Sequence, residues 1–205
     1  MGAGRLRRYC RPRDAAHRQS VLQSRRTMGV CQESAEAAQE KGRRCSEVAM
    51  KIAIVAVGNR MPSWVDEGYR EYAKRMPAEA QVELVEIKPE KRSKGEAAEG
   101  ILMVEAKRID MQLRKYRPII VLDERGDLWD TKRIATFLQD AMANAMNPAF
   151  VIGSADGLDD SIKQQAAHRV ALSKMTLPHG LARVMLAEQL YRGWSILQGH
   201  PYHRV

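Results

Sequence analysis

Four short stretches of this sequence bring together residue types that do chemistry. Tyr202-His203-Arg204 sets a flat ring, an imidazole and a guanidinium side by side. Those groups suit stacking on a base, handling a proton and contacting a phosphate; the other reading of a chain end is disorder. Arg192 stands four residues after Glu188 on an otherwise apolar stretch. It is either a ligand or RNA contact or one half of a structural ion pair, and charge among so many apolar residues needs a reason. Gly153-Ser154-Ala155-Asp156-Gly157 follows an apolar run. Its glycines permit positive φ and close approach of backbone to a ligand, or they mark an ordinary strand-to-helix turn. Ser173-Lys174-Met175-Thr176 offers backbone donors and acceptors beside apolar Met175 and Leu177, which makes either a setting for a purine ring or a connecting loop.

These stretches need a scaffold, and five short apolar runs supply it: Lys51 to Val57, Val82 to Ile87, Pro118 to Leu122, Phe150 to Gly153 and Val170 to Leu172. Helical patterns separate them. The first opens at a Ser63 cap with Asp66 three residues on and reaches about Met76. The second covers Glu96 to Leu113. The third opens at Asp130 or Thr131 and ends about Ala145, and the fourth covers Asp159 to Ala167. A long last helix follows the Leu177-Pro178-His179 turn and stops at Gly199. Wholly apolar strands alternating with helices predict an α/β fold, a mostly parallel sheet of five or six strands with helices on both faces. Such sheets bind ligands beyond the carboxyl ends of their strands, here Leu122, Gly153 and Leu172-Ser173. The last helix is apolar on more than one side, from Leu181 through Leu197. A second apolar surface predicts a partner, most simply a twin subunit.

Residues 1–49 differ in kind. They hold eleven Lys and Arg against five Asp and Glu, most of the chain's formal charge of +9, and their few apolar residues follow no period. Such a segment buries too little surface to offset chain entropy and is expected to be disordered. It is a basic arm, a targeting peptide, or an upstream extension with the folded domain, 50–205, beginning at Met50. The basic balance, with a pI near 9.7, favours an acidic partner, nucleic acid before an anionic membrane. No apolar run reaches the ~20 residues of a spanning helix, and no apolar leader opens the chain. The three cysteines all precede Met50 and form no pairing motif, which fits a reducing cytoplasm. There is no G-x-G-x-x-G, P-loop or G-x-S-x-G signature, which counts against a nicotinamide oxidoreductase, a P-loop NTPase and an elbow-type hydrolase. His200 and His203 have Pro201 between them and no thiol or acid beside them, so no metal site is expected.

Taken together, LPHGLARVMLAEQLYRGWSILQGHPYHR, GSADGL upstream of it and MKIAIVAVGNRMPSWVDEGYREY at Met50 resemble one family. It is the small ribosomal RNA pseudouridine N3-methyltransferases of the SPOUT, or α/β-knot, class. The resemblance covers Met50 to Arg204. It implies a carboxyl end threaded into a trefoil knot, a rare exception to unknotted folds. It implies S-adenosylmethionine held by three loops, which by position contain Leu122, Gly153 and Leu172, Ser173, Lys174, Met175, Thr176 and Leu177. It also implies a homodimer in which the tail of one subunit reaches the pocket of the other, and 23S ribosomal RNA of the assembled ribosome as substrate. The catalytic expectations follow from it: Arg192 and Arg204 for phosphate or anion contacts, His203 as proton acceptor and Tyr202 to position the base. Ser154 stands where the family commonly has a second glycine. A side chain there restricts φ, and the rival reading is a non-catalytic ribosome-associated RNA-binding protein with weakened cofactor affinity.

Overall fold

In β1 (Met50–Val57), Ile52, Ile54 and Ala56 pack into one core while Ala53, Val55 and Val57 pack into another. Side chains alternate across a strand, so the run from Ile52 to Val57, apolar at every position, must be covered on both faces. This computed structural model describes residues 50–91 and 98–203. The extension 1–49, part of the basic loop after the second strand, and Arg204 lie outside the described residues.

The order after β1 is α1 (Ser63–Ala73), β2 (Ala80–Ile87), α2 (Ala98–Leu113), β3 (Ile119–Leu128), α3 (Thr131–Ala143) and β4 (Ala149–Ile152). Then come α4 (Asp160–Gln165), β5 (His168–Ala171), α5 (His179–Leu197) and a 3₁₀ turn at Pro201–His203. The sheet has five strands in the order β2-β1-β4-β3-β5, and every ladder is parallel. Tyr69 of α1, Leu138 of α3 and Leu186, Leu190 and Trp194 of α5 fill one face. Ile109 and Leu113 of α2 and Ile162 of α4 fill the other. The predicted α/β architecture with helices on both faces is therefore present, with five strands and no sixth among the described residues.

Three local expectations need correction. Ser63 does not cap α1. Pro62 holds the cap position with no side-chain bond, and Ser63 is the first helical residue. β3 does not end at Leu122 but continues to Leu128. Leu122 and Asp127 both pair with Val170, so Asp123 to Gly126 bulge out of the ladder. Gly126 permits this because a Cβ there would lie 2.6 Å from the Val170 nitrogen. The fifth strand runs from His168 to Ala171 rather than from Val170 to Leu172. Two caps agree with their residues. Asp130 accepts the Arg133 N–H at 2.7 Å, and Gly199, at φ 63, closes α5. There the Gly199 N–H donates to Ile196 O and the His200 N–H to Ser195 O, which satisfies carbonyls that a helix end leaves unpaired.

Candidate functional site

The bulge within β3 and the carboxyl ends of β4 and β5 open into one cavity of about 670 Å³. Its first wall is the β3 bulge, Leu122 to Arg125. The second is the turn after β4, Gly153 to Leu158. The third is the β5–α5 connection, Leu172, Ser173 and Met175 to His179. Each wall is a place where the chain leaves the sheet and exposes backbone groups, which is why parallel sheets bind ligands at this edge.

Local chemistry holds the walls in shape. The Ser154 N–H donates to Gly157 O at 3.1 Å and the Gly157 N–H to Ser154 O at 3.0 Å, a tight reverse turn with Gly157 at φ 91. The turn folds back so closely that a Cβ on Gly153 would lie 2.5 Å from the Gly157 oxygen. The demand for glycine therefore falls on Gly153. Ser154 does not adopt positive φ, and its hydroxyl lies 3.4 Å from Gly157 O. In the third wall the Met175 N–H donates to the Ser173 hydroxyl at 3.0 Å. The Thr176 hydroxyl reaches across to the Glu124 carboxylate at 3.1 Å, joining the first wall to the third.

The α5 amino end anchors the floor through residues that sequence reasoning missed. His179 Nδ1 lies 2.9 Å from Gly153 O. Arg183, fully buried, donates from Nε to His179 Nε2 at 3.0 Å, from Nη1 to Glu86 at 2.7 Å and from Nη2 to Gly58 O at 2.6 Å. One guanidinium thus joins α5 to the ends of β1 and β2. Burial and the neighbouring Arg183 charge hold the His179 pKa below its ordinary value. The available signal was an Arg four residues after a His within an apolar helix.

Of the eight residues expected around a cofactor, Leu122, Gly153, Leu172, Ser173, Met175, Thr176 and Leu177 line the cavity. Lys174 does not. It points to an adjoining groove with Leu128, Trp129, Asp130 and Arg133. Of the four residues expected to be catalytic, Arg192 and Tyr202 are not at the cavity wall of the same chain. Arg192 and Glu188 form an ion pair, Nη2 to Oε1 at 2.6 Å, so the structural reading of that pair holds in the single chain. The Tyr202 hydroxyl donates to the same Glu188 oxygen at 3.1 Å, and the Arg192 guanidinium sits 5.0 Å from the centre of the Tyr202 ring. Burial, then the Tyr72 hydroxyl and the Glu188 carboxylate, push the Tyr202 phenol up to about 12, which keeps it a neutral donor. His203 lies in the 3₁₀ turn, and Arg204 lies outside the described residues.

Among the described residues no group of three or more His, Cys, Asp or Glu side chains is placed to hold a metal ion. No helix among them is long and apolar enough to cross a membrane.

Comparison with known proteins places this arrangement. The family described as "Predicted SPOUT methyltransferase" matches residues 50–203. Ribosomal RNA large subunit methyltransferase H of Burkholderia multivorans is 53% identical over 156 residues, 76% of this chain and all of the relative. The protein of the same name from Ralstonia pickettii is also 53% identical with the same coverage. A probable methylase family protein from Haemophilus influenzae shares the fold at a TM-score of 0.50 and 12% identity, over 75% of this chain and 70% of that one. The chain belongs to the SPOUT methyltransferases, in the family of the ribosomal RNA large subunit methyltransferases H.

Proposed function

We propose that the protein is an S-adenosylmethionine-dependent methyltransferase that acts on N3 of a pseudouridine in 23S ribosomal RNA of the assembled ribosome. The observation that carries this reading is the convergence of the β3 bulge and the connections after β4 and β5 on one cavity of ligand size, about 670 Å³, within the range of small-molecule sites.

The residues present fit the cofactor. Apolar Leu122, Ile152, Leu158 and Met175 suit the faces of an adenine ring. The backbone of Gly153 to Gly157 and of Leu172, Ser173 and Met175 to Leu177, all cavity-lining residues, suits its polar edge. Asp123 and Glu124 suit ribose hydroxyls and a cationic centre. When bound, S-adenosylmethionine supplies an electrophilic methyl group on a sulfonium. The protein's part is to align the acceptor nitrogen, remove its proton and stabilise the imide anion that forms. Alignment contributes about 7–11 kcal/mol where geometry is near attack, and oriented cations contribute several more. In this reading Tyr202 positions the base, His203 takes the N3 proton, and Arg192 and Arg204 hold the phosphate or the developing anion.

Within one chain Tyr202 and Arg192 are absent from the cavity wall, which supports a site completed by a second subunit. The further apolar side of α5, with Leu181, Met185 and Ile196 only half-buried, and exposed Trp64 of α1 support a homodimer. The trefoil knot at the carboxyl end, a cytoplasmic location and a domain of residues 50–205, with 1–49 outside it, belong to the same reading. The family match over 50–203 supports the domain limit. Nucleoside mass spectrometry of 23S ribosomal RNA from cells lacking the protein tests the function. One lost methyl on a pseudouridine, restored by the gene, is the expected result. An unchanged set of methylated nucleosides contradicts it.

A further inference from the structure

A buried guanidinium is an exacting neighbour because it stays charged and only donates. Arg183 Nε donates to His179 Nε2 at 3.0 Å, so Nε2 must carry a lone pair. On the other side of the ring, Nδ1 lies 2.9 Å from Gly153 O, which only accepts. These two contacts fit one of three protonation states, the neutral ring with its proton on Nδ1. The other neutral tautomer sets two donors against each other at Arg183 and two lone pairs against each other at Gly153. The imidazolium sets N–H against N–H beside a buried cation.

We propose that Arg183 and His179 form a positioning pair: Arg183 selects the Nδ1–H tautomer of His179, whose one donor fixes the Gly153 carbonyl and so the floor of the cavity. Arg183 is itself held by Glu86 and by Gly58 O at the ends of β2 and β1, so the pair ties the β4 turn to two neighbouring strands. Gly153 O is the last carbonyl before the turn that forms the second wall, and a shift there moves every backbone group from 154 to 158. Burial and the Arg183 charge disfavour protonation of the ring, while the Gly153 carbonyl and the Glu86 carboxylate favour it, and the first two outweigh the others. The effect on affinity rests on the cavity being the S-adenosylmethionine site; the tautomer does not.

Two measurements on the full chain test this. Nitrogen-15 imidazole spectra, with His179 assigned by its loss in His179→Asn, are expected to show a protonated Nδ1 and an unprotonated Nε2 near neutral pH. A protonated Nε2, alone or with Nδ1, overturns the proposal. Calorimetric titration with S-adenosylmethionine is expected to show roughly ten-fold weaker binding for His179→Ala, since a buried acceptor loses its donor. His179→Asn keeps an N–H near the Nδ1 position and is expected to recover most of that loss, and Arg183→Lys to weaken binding as His179→Ala does. Equal affinity in all three variants with a lower melting temperature overturns the positioning role and leaves a structural one. If the wild-type protein takes up no S-adenosylmethionine, the functional reading fails, and the spectra alone decide the pair.

Discussion

Gly153 and Ser154 are neighbours with opposite tolerances. A methyl group on Gly153 would meet the Gly157 oxygen at 2.5 Å, so Gly153→Ala must push the turn outward. Overpacking of this kind costs about 1–3 kcal/mol, and calorimetry should show cofactor affinity reduced at least ten-fold. Ser154→Gly should leave that affinity within about two-fold, because Ser154 has no strained backbone to relieve and an unstrained surface change is near neutral. A large gain in affinity for Ser154→Gly would revive the rival reading of an impaired binder. His179 adds a pH dependence. Its folded pKa lies below the ordinary 6.5, so the folded state binds fewer protons than the unfolded one. Its contribution is complete above about pH 6.5 and is lost as the pH falls through the folded value. Thermal melts of the wild type should therefore decline more steeply below about pH 6.5 than those of His179→Asn. The glycines and the Glu188–Arg192 pair were legible because their partners lie within a few residues. Arg183 was not, since its carboxylate partner is 97 positions away and no local window contains both.

At the level of elements, the central strands could be read directly, because β1 from Ile52 to Val57 and all of β4 are apolar at every position and buried on both faces. The β3 bulge could not. Asp123-Glu124-Arg125-Gly126 has the composition of a turn, yet the ladder resumes at Asp127 opposite Val170. The bulge gives the cavity its acidic wall, and the Gly126 position allows it. Gly126→Val should lower stability by about 2–3 kcal/mol by urea titration, since its Cβ would strike the Arg169 and Val170 backbone at 2.6 Å. α5 serves both ends of the molecule. Its amino end anchors the cavity floor, its middle fills the core through Leu186 and Leu190, and its carboxyl end carries Arg192 against Tyr202. Leu190→Ala should cost about 2–5 kcal/mol while leaving the His179 tautomer unchanged. A loss far below that range would mean α5 is not fixed by this core.

At the scale of the whole molecule, Arg192 and Tyr202 stand outside the cavity wall of their own chain, and a second copy is the simplest remedy. Sequence pattern pointed to a partner through the all-round apolar character of α5, but the route of the tail between subunits is not written in any spacing. A subunit-mixing experiment separates the alternatives. Gly153→Ala removes the pocket and Arg192→Ala removes the tail contact, so each variant alone should be nearly inactive. Random pairing in a two-fold dimer then leaves one good site in half the dimers, and the mixture should regain roughly one quarter of wild-type activity. No recovery on mixing would place Arg192 in its own subunit's site or outside the reaction.

The central claim is that this cavity presents a methyl donor to ribosomal RNA. Its most direct test is methyl transfer from isotopically labelled S-adenosylmethionine to ribosomes lacking the mark, read by mass spectrometry of the digested 23S RNA. The account predicts label on N3 of a single pseudouridine with the wild-type protein and its loss with Gly153→Ala. Labelled cofactor that binds yet leaves every nucleoside of that RNA unlabelled would contradict it.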